Sequence, residues 1–164
     1  MKFEIRKIQE SDIQGFHKAL TSVASEGQYL LTTPPVPFGK IERFIKDNIA
    51  QNYAQYVALK DGEVIGWADI MPSSRNTMSH VGSLGMGVVA PFRGQGVGKK
   101  LLINVIEHAW SQGLTRLELE VFSDNTTAIE MYKKHGYMVE GTKKFARFYE
   151  EKYQDIILMA QYRT

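Results

Sequence analysis

Between Gly82 and Leu101 a strand-like run leads into Arg93-Gly94-Gln95-Gly96-Val97-Gly98 and then directly into a helical pattern that carries Lys99 and Lys100 at its start. Glycines at 94, 96 and 98 let the backbone curl so that several N–H groups converge on one point, and the helix N-terminus adds the positive end of its dipole. The chemistry suited to such a cradle is the binding of phosphate or pyrophosphate. The cations agree with it. Arg93, Lys99 and Lys100 crowd a helix start, where each opposes the macrodipole at a cost of about 0.3–1 kcal/mol unless an anion is bound. The bland alternative is a glycine turn flanked by solvated lysines. The spacing is neither G-x-G-x-x-G nor G-x-x-x-x-G-K-[ST], which excludes the dinucleotide fingerprint and the nucleotide P-loop.

A second block, Leu117-Glu118-Leu119-Glu120-Val121-Phe122-Ser123-Asp124-Asn125-Thr126-Thr127-Ala128-Ile129-Glu130-Met131-Tyr132-Lys133-Lys134-His135-Gly136-Tyr137, follows in order. With Arg93-x-x-Gly96-x-Gly98, it resembles the GNAT superfamily of acetyl-CoA-dependent N-acetyltransferases. The first block is similar to that family's pyrophosphate loop. The second is similar to its strand, Asn-x-x-Ala, Tyr-x-Lys-x-Gly-aromatic signature. The resemblance covers roughly residues 53–144 closely. Arg75 to His80, and Glu140 to Ala146, resemble more loosely the bacterial branch that acetylates free L-amino acids and related small amines.

The resemblance implies acetyl-CoA as co-substrate, no metal, and roles for individual residues. Met86, Val88 and Val89 would pair their backbone with the pantetheine arm in the manner of an added strand, with an N–H near Val88 steadying the oxyanion. Gly85 and Gly87 share a face of that strand, so they would let a ligand lie against the backbone or allow a bulge. Arg93, Gly94, Gln95, Gly96, Val97, Gly98 and Lys99 would hold the pyrophosphate. Asn125 would bond the CoA arm, although asparagine is also a good helix N-cap. Tyr132 would protonate the departing sulfur, the alternative being a core tyrosine. For the base, Glu120 is the first candidate. Glu118, Asp69 and His80 are others, and alternating glutamates usually mark a solvated strand face. Tyr29 and His80 are the expected substrate contacts.

These residues need elements to position them. Phe3, Ile5 and Ile8 alternate with charge and begin a strand. Ser11-Asp12-Ile13-Gln14 has capping-box spacing, and Ile13, Phe16, Ala19, Leu20 and Val23 make an apolar helical stripe. Residues 27–39 hold Pro34, Pro35 and Pro37, which forbid regular structure. Tyr29, Leu30, Leu31 and Phe38 give this loop apolar anchors, and it is expected to cover the acceptor side. Ile41, Phe44, Ile45 and Ile49 mark a second helix. Tyr53–Lys60 and Glu63–Ile70 flank Asp61-Gly62, a strong hairpin signal. A polar loop at 72–79, a strand from His80 to Val89, a helix over 98–112, a strand around Leu117–Val121, a short helix from Asn125 to His135 and strands near 137–144 and 153–160 complete the order. The pattern is α/β with a mixed sheet. The resemblance sharpens this to an α/β (α+β) GNAT fold, with a mixed, mostly antiparallel sheet of about seven strands flanked by about four helices.

Composition bounds the rest. The 164 residues fit one domain, expected over 1–164. No cysteine is present, which excludes disulfides, thiolate metal sites and a cysteine nucleophile. Twenty Lys+Arg against 18 Asp+Glu give a net charge of +2, too mild to imply nucleic acid. The first residues read as a strand and no long apolar run occurs, so no signal peptide and no membrane span are expected, and the location expected is cytoplasmic. The reaction expected is acetyl transfer to a primary amine of a small molecule such as an amino acid, by direct attack in a ternary complex. A protein or peptide N-terminal acetyltransferase and a non-catalytic acyl-CoA sensor are the alternatives. The expected partner is a small-molecule amine, and a homodimer is compatible with the sequence.

Overall fold

The structure is a computed structural model that describes residues 1–164. In chain order the elements are β1 (Glu4–Lys7), α1 (Ile13–Ser25), α2 (Phe38–Ala50), β2 (Ala54–Lys60), β3 (Glu63–Pro72), β4 (Val81–Val88), α3 (Val97–Ser111), β5 (Arg116–Phe122), α4 (Thr126–Lys134), β6 (Met138–Tyr149) and β7 (Lys152–Tyr162). All strands join one seven-stranded sheet in the order β1-β2-β3-β4-β5-β7-β6. Every neighbouring pair is antiparallel except β4 with β5. This is the α/β arrangement that the resemblance implied. No helix is long and apolar enough to cross a membrane.

The two sheet faces carry separate cores, because residues along a strand alternate between faces. On one face Ala54, Ala58, Ala68 and Ile70 pack against Val97, Leu101, Leu102, Val105 and Ala109 of α3. On the other, Val57, Leu59 and Trp67 pack against Phe16, Ala19 and Val23 of α1 and Ile45 of α2. Of the stripe expected on α1, Ile13, Phe16, Ala19 and Val23 are buried and Leu20 is half-buried, whereas of that expected on α2 only Ile45 is buried, Ile41 and Phe44 are half-buried and Ile49 is 36% exposed. The Asp61-Gly62 turn forms as expected, with φ of 50° and 82°, the positive values that a two-residue hairpin requires.

Two local expectations fail. The Ser11–Gln14 capping box does not form. Asp12 is drawn into a 3-10 turn, where its carboxylate accepts from Gln9 N–H at 2.8 Å and from the Arg6 guanidinium at 2.7 and 2.9 Å. Charge-assisted bonds outweigh what a serine hydroxyl offers, and α1 begins at Ile13. The final hairpin is also longer than its sequence suggests. It turns at Glu150 and Glu151, both at positive φ of 49° and 61°, where no glycine or asparagine signals a turn.

The feature that positions the site is an incomplete pairing. β4 meets β5 only at Val81↔Arg116, Gly82↔Leu117 and Ser83↔Glu118. β3 continues to pair β4 as far as Gly66↔Val88, and β7 continues to pair β5 as far as Phe122↔Ile156. The sheet therefore opens down its middle while both halves stay intact.

Candidate active site

A cavity of about 1020 Å³ fills this opening. Its wall takes in the glycine loop, Leu84–Val88 of β4 and Leu119–Phe122 of β5, together with Tyr29, Leu30, Leu31, Arg116, Glu140 and Lys143.

At the loop end, Gly94 and Gly96 adopt φ of 72° and 82°, and a side chain at either would meet only open space. Backbone geometry, not crowding, requires glycine there. At Gly98 a Cβ would meet Met86 Cε at 3.5 Å, Val88 Cγ2 at 3.7 Å and Met131 Sδ at 3.8 Å, which is ordinary contact. The first helical bond of α3 runs from Lys100 N–H to Gly96 O at 3.2 Å. The N–H groups of Val97, Gly98 and Lys99 therefore lack helical acceptors, and those of Gly94, Gln95 and Gly96 bond to no carbonyl. This run of free donors, at a helix start with no acidic residue in its first turn, fits a pyrophosphate.

The side chains around it differ from expectation. Arg93 is committed to a carboxylate of the protein. Its guanidinium is bidentate on Glu26, at 2.8 and 2.6 Å, its Nε donates to Val88 O at 2.8 Å, and it stacks 4.4 Å from the Tyr29 ring centroid. The hydrogen bond to Glu26 raises its already high pKa. Lys100 lies over Phe3 at 4.7 Å. Lys99 is the cation of the three that both lines the cavity and stays exposed. Gln95 turns away as well, its Nε2 donating to Pro91 O at 3.0 Å.

Along β4, Val89 N–H donates to Ile65 O of β3 at 3.0 Å. Backbone groups alternate direction along a strand, so Val88 and Met86 present theirs to the open edge while Val89 is spent inside the sheet. Val89 is thus outside the cavity wall, a correction to its expected role. The β3–β4 register is unbroken, so no bulge forms at Gly85 or Gly87. A Cβ at Gly87 would come within 2.4 Å of the Trp67 ring, so Trp67 explains that glycine.

Tyr132 lines the cavity and is 8% exposed. Burial, with a lesser contribution from Tyr137, pushes its hydroxyl pKa upward, so it stays protonated at neutral pH. The neighbouring Tyr137, 5.8 Å away ring to ring, is pushed up to about 12, also by burial. Asn125 lines the cavity and caps α4, its Oδ1 accepting from Ala128 N–H at 3.3 Å while its Nδ2 makes no hydrogen bond within the protein.

On the β5 and β6 side of the wall the charges are paired. Glu120 lines the cavity with its side chain 41% exposed, and Lys143 bridges it. Arg116 holds Glu140 and Glu118. His80 is exposed and absent from the wall. Its carbonyl accepts from Thr115 and Arg116 N–H at 2.9 and 3.1 Å, so its place is structural, contrary to its expected substrate contact. Tyr29, Leu30 and Leu31 wall the cavity as the loop expectation required, whereas Phe38 packs on His17 at 5.3 Å as the first residue of α2. Sequence reasoning missed Glu26, and it missed Arg147, which is 8% exposed and donates to Gly27 O at 2.7 Å. Neither carries a local motif.

Comparison with known proteins agrees with this geometry. The model of the acetyltransferase (GNAT) family matches residues 23–137. The L-amino acid N-acetyltransferase AaaT of Escherichia coli (strain K12) is 38% identical over 109 residues, covering 65% of this chain and 67% of that enzyme. An acetyltransferase of the GNAT family from Streptococcus pneumoniae superposes with a TM-score of 0.91 at 26% identity, covering 99% of this chain and 100% of that one. A GNAT superfamily phosphinothricin acetyltransferase from Sinorhizobium meliloti, in complex with acetyl-CoA, shares the fold with a TM-score of 0.92 at 18% identity, covering 99% of this chain and 89% of the other. The chain belongs to the acetyltransferase (GNAT) family and is an N-acetyltransferase.

Proposed function

We propose that the acceptor is the primary amine of a small zwitterionic molecule, with a free amino acid as the leading class. The observation that carries this is the mixed charge of the cavity wall. That wall includes the apolar and aromatic Tyr29, Leu30 and Leu31, and Arg116, Glu118, Glu120, Glu140 and Lys143 give it both signs of charge. Such a wall matches a ligand that carries an ammonium and a carboxylate close together, whereas an extended peptide asks for an open groove. The L-amino acid activity named for the Escherichia coli relative supports the same class.

Acetyl-CoA supplies the thioester-activated acetyl group. The free N–H groups of Gly94 to Lys99 and the Lys99 ammonium hold its pyrophosphate. Met86 and Val88 offer backbone groups to the arm, and Asn125 Nδ2 adds a donor. Val88 N–H is aimed at the edge where charge develops on the carbonyl oxygen. Tyr132, buried and protonated, donates to the leaving sulfur. Glu120, tied to Lys143 and open to solvent, orients the acceptor.

The test is CoA release with a panel of free L-amino acids, their amides, simple amines and short peptides. Free amino acids should give the highest kcat/KM, and amidation should lower it by removing the carboxylate. A preference for peptides over every free amine would overturn the proposal in favour of an N-terminal acetyltransferase. CoA binding without turnover of any amine would favour a sensor.

A further inference from the structure

We propose that Asp69 is the seat of the acceptor's ammonium group and the base that takes its proton. The inference rests on the acetyltransferase reading above and supplies the proton acceptor that it leaves open.

Asp69 lies in the middle of β3, only 8% exposed, and no donor of the protein bonds to its carboxylate. On one side, in register on β2, stands Gln55, 1% exposed. Gln55 Oε1 accepts from Asn48 Nδ2 at 3.0 Å, while its own Nε2 is buried without a partner. On the other side, in register on β4, stands Gly85, which lines the cavity. A Cβ at Gly85 would come within 3.3 Å of Asp69 Oδ1. Asp69 itself is not part of the cavity wall but lies behind Gly85, whose missing side chain leaves a position 3.3 Å from the carboxylate unfilled. Two residues beyond the last β4–β5 pair, Ser83↔Glu118, the strand alternation sets Gly85 opposite Glu120 across the opening.

An unpaired buried carboxyl is costly to ionise, and here burial pushes its pKa up to about 7, the range in which a base works at neutral pH. The groups carried by the surrounding elements leave it unpaired. On α1, His17 contacts the Val36 carbonyl and Glu26 holds Arg93. α2 and β2 contribute the neutral Asn48 and Gln55. On β5, Glu118 and Glu120 are held by Arg116 and Lys143. An ammonium resting on Gly85 would be the partner that Asp69 lacks.

The protons and bonds then balance. One N–H proton of the substrate ammonium passes to an Asp69 oxygen, which frees the nitrogen lone pair. The C–N bond forms and the C–S bond breaks. Tyr132 gives its proton to the sulfur and is restored by the second proton that the nitrogen sheds. Asp69 returns the first proton to solvent once the amide has left.

The experiment compares wild type with Asp69→Asn, Asp69→Glu, Glu120→Gln and Gly85→Ala, using the best amine of the panel. It records CoA affinity and kcat/KM across pH. Wild type should show an acid limb near pH 7. Asp69→Asn should lose that limb and fall by about 10²-fold or more, with CoA affinity within a few-fold of wild type. Asp69→Glu should move the limb, Glu120→Gln should retain it, and Gly85→Ala should impair the rate by covering the carboxylate. An Asp69→Asn profile that matches wild type, or loss of the limb in Glu120→Gln, overturns the proposal. A wild type inert toward every amine instead overturns the functional reading. In that case carboxyl 13C NMR of the CoA-bound protein decides on the seat, with methylammonium as probe. Methylammonium should lower the pKa of Asp69, and no change overturns the proposal.

Discussion

Arg93 closes on Glu26 across 67 residues of sequence, with two parallel N–H···O bonds of 2.8 and 2.6 Å. The same guanidinium is the platform for Tyr29. One side chain therefore fastens the end of α1 and Tyr29 of the cavity wall to the segment that leads into the glycine loop. Glu26→Gln should release it. The pair is part-exposed, with side chains 30% and 27% accessible, so the stability lost is about 1 kcal/mol or less. The amine KM should rise roughly two- to fivefold as that part of the wall loosens. CoA affinity should hold or improve, because a freed Arg93 gains access to the pyrophosphate. A selective loss of CoA affinity in a Glu26→Gln protein with unchanged amine KM would place the clasp elsewhere in the mechanism.

Gly96 and Gly98 should separate under substitution. Gly96→Asp puts a β-carbon at φ of 82° and a carboxylate beside the free N–H groups. It should cost about 1 kcal/mol in backbone strain and weaken CoA by at least tenfold through like-charge repulsion. Gly98→Ala meets only contacts of 3.5 Å and longer and should leave both properties nearly intact. Calorimetric titration with CoA measures the difference. Equal effects at the two positions would mean that the loop binds through packing rather than through its N–H groups.

The parts legible in the sequence were those whose cause is local. The Asp61-Gly62 turn, the α1 stripe and the glycine loop each follow from residues within a few positions of one another. The parts that were not legible are long-range. Nothing near Arg93 announces that Glu26 will hold it, and three cations at a helix start read as an anion site whether or not each one points there. Asp69 is among the candidate bases by residue type, but nothing near it in sequence shows that it is buried and unpaired. Its burial comes from the strands on either side, and the space beside its carboxylate comes from a glycine on the next strand. Glu120 shows the converse. Its motif position is clear, yet the sequence does not show that Lys143, 23 residues on, will pair with it. The Glu150-Glu151 turn was invisible because its positive φ values are imposed by the pairing of the hairpin rather than by residue type.

Tyr132→Phe should lower kcat and kcat/KM together by about 10²-fold while CoA affinity changes little. The ring stays buried against Tyr137, so packing is kept and only the donor is lost. Single-turnover kinetics isolates the chemical step. An unaltered single-turnover rate would remove Tyr132 from the acid role and leave water as the proton donor.

Asp69 also makes a prediction about stability that needs no substrate. Its folded pKa of about 7 lies above the ordinary value of 3.8, so between those values the folded state holds a proton that the unfolded state has released. Stability must then fall as pH rises from about 4 to about 7 and level off above it. If burial is fully expressed, the decline is on the order of 4 kcal/mol. For a chain of this size that corresponds to roughly 8–16 °C in Tm. Asp69→Asn removes the ionisable group while keeping its shape. The variant should match wild type near pH 4, exceed it near pH 8, and lose this component of the pH slope. Denaturation followed by circular dichroism at several pH values measures both curves. If the wild-type and Asp69→Asn curves run parallel over this range, Asp69 is ionised throughout and is not the unpaired buried acid that its surroundings indicate.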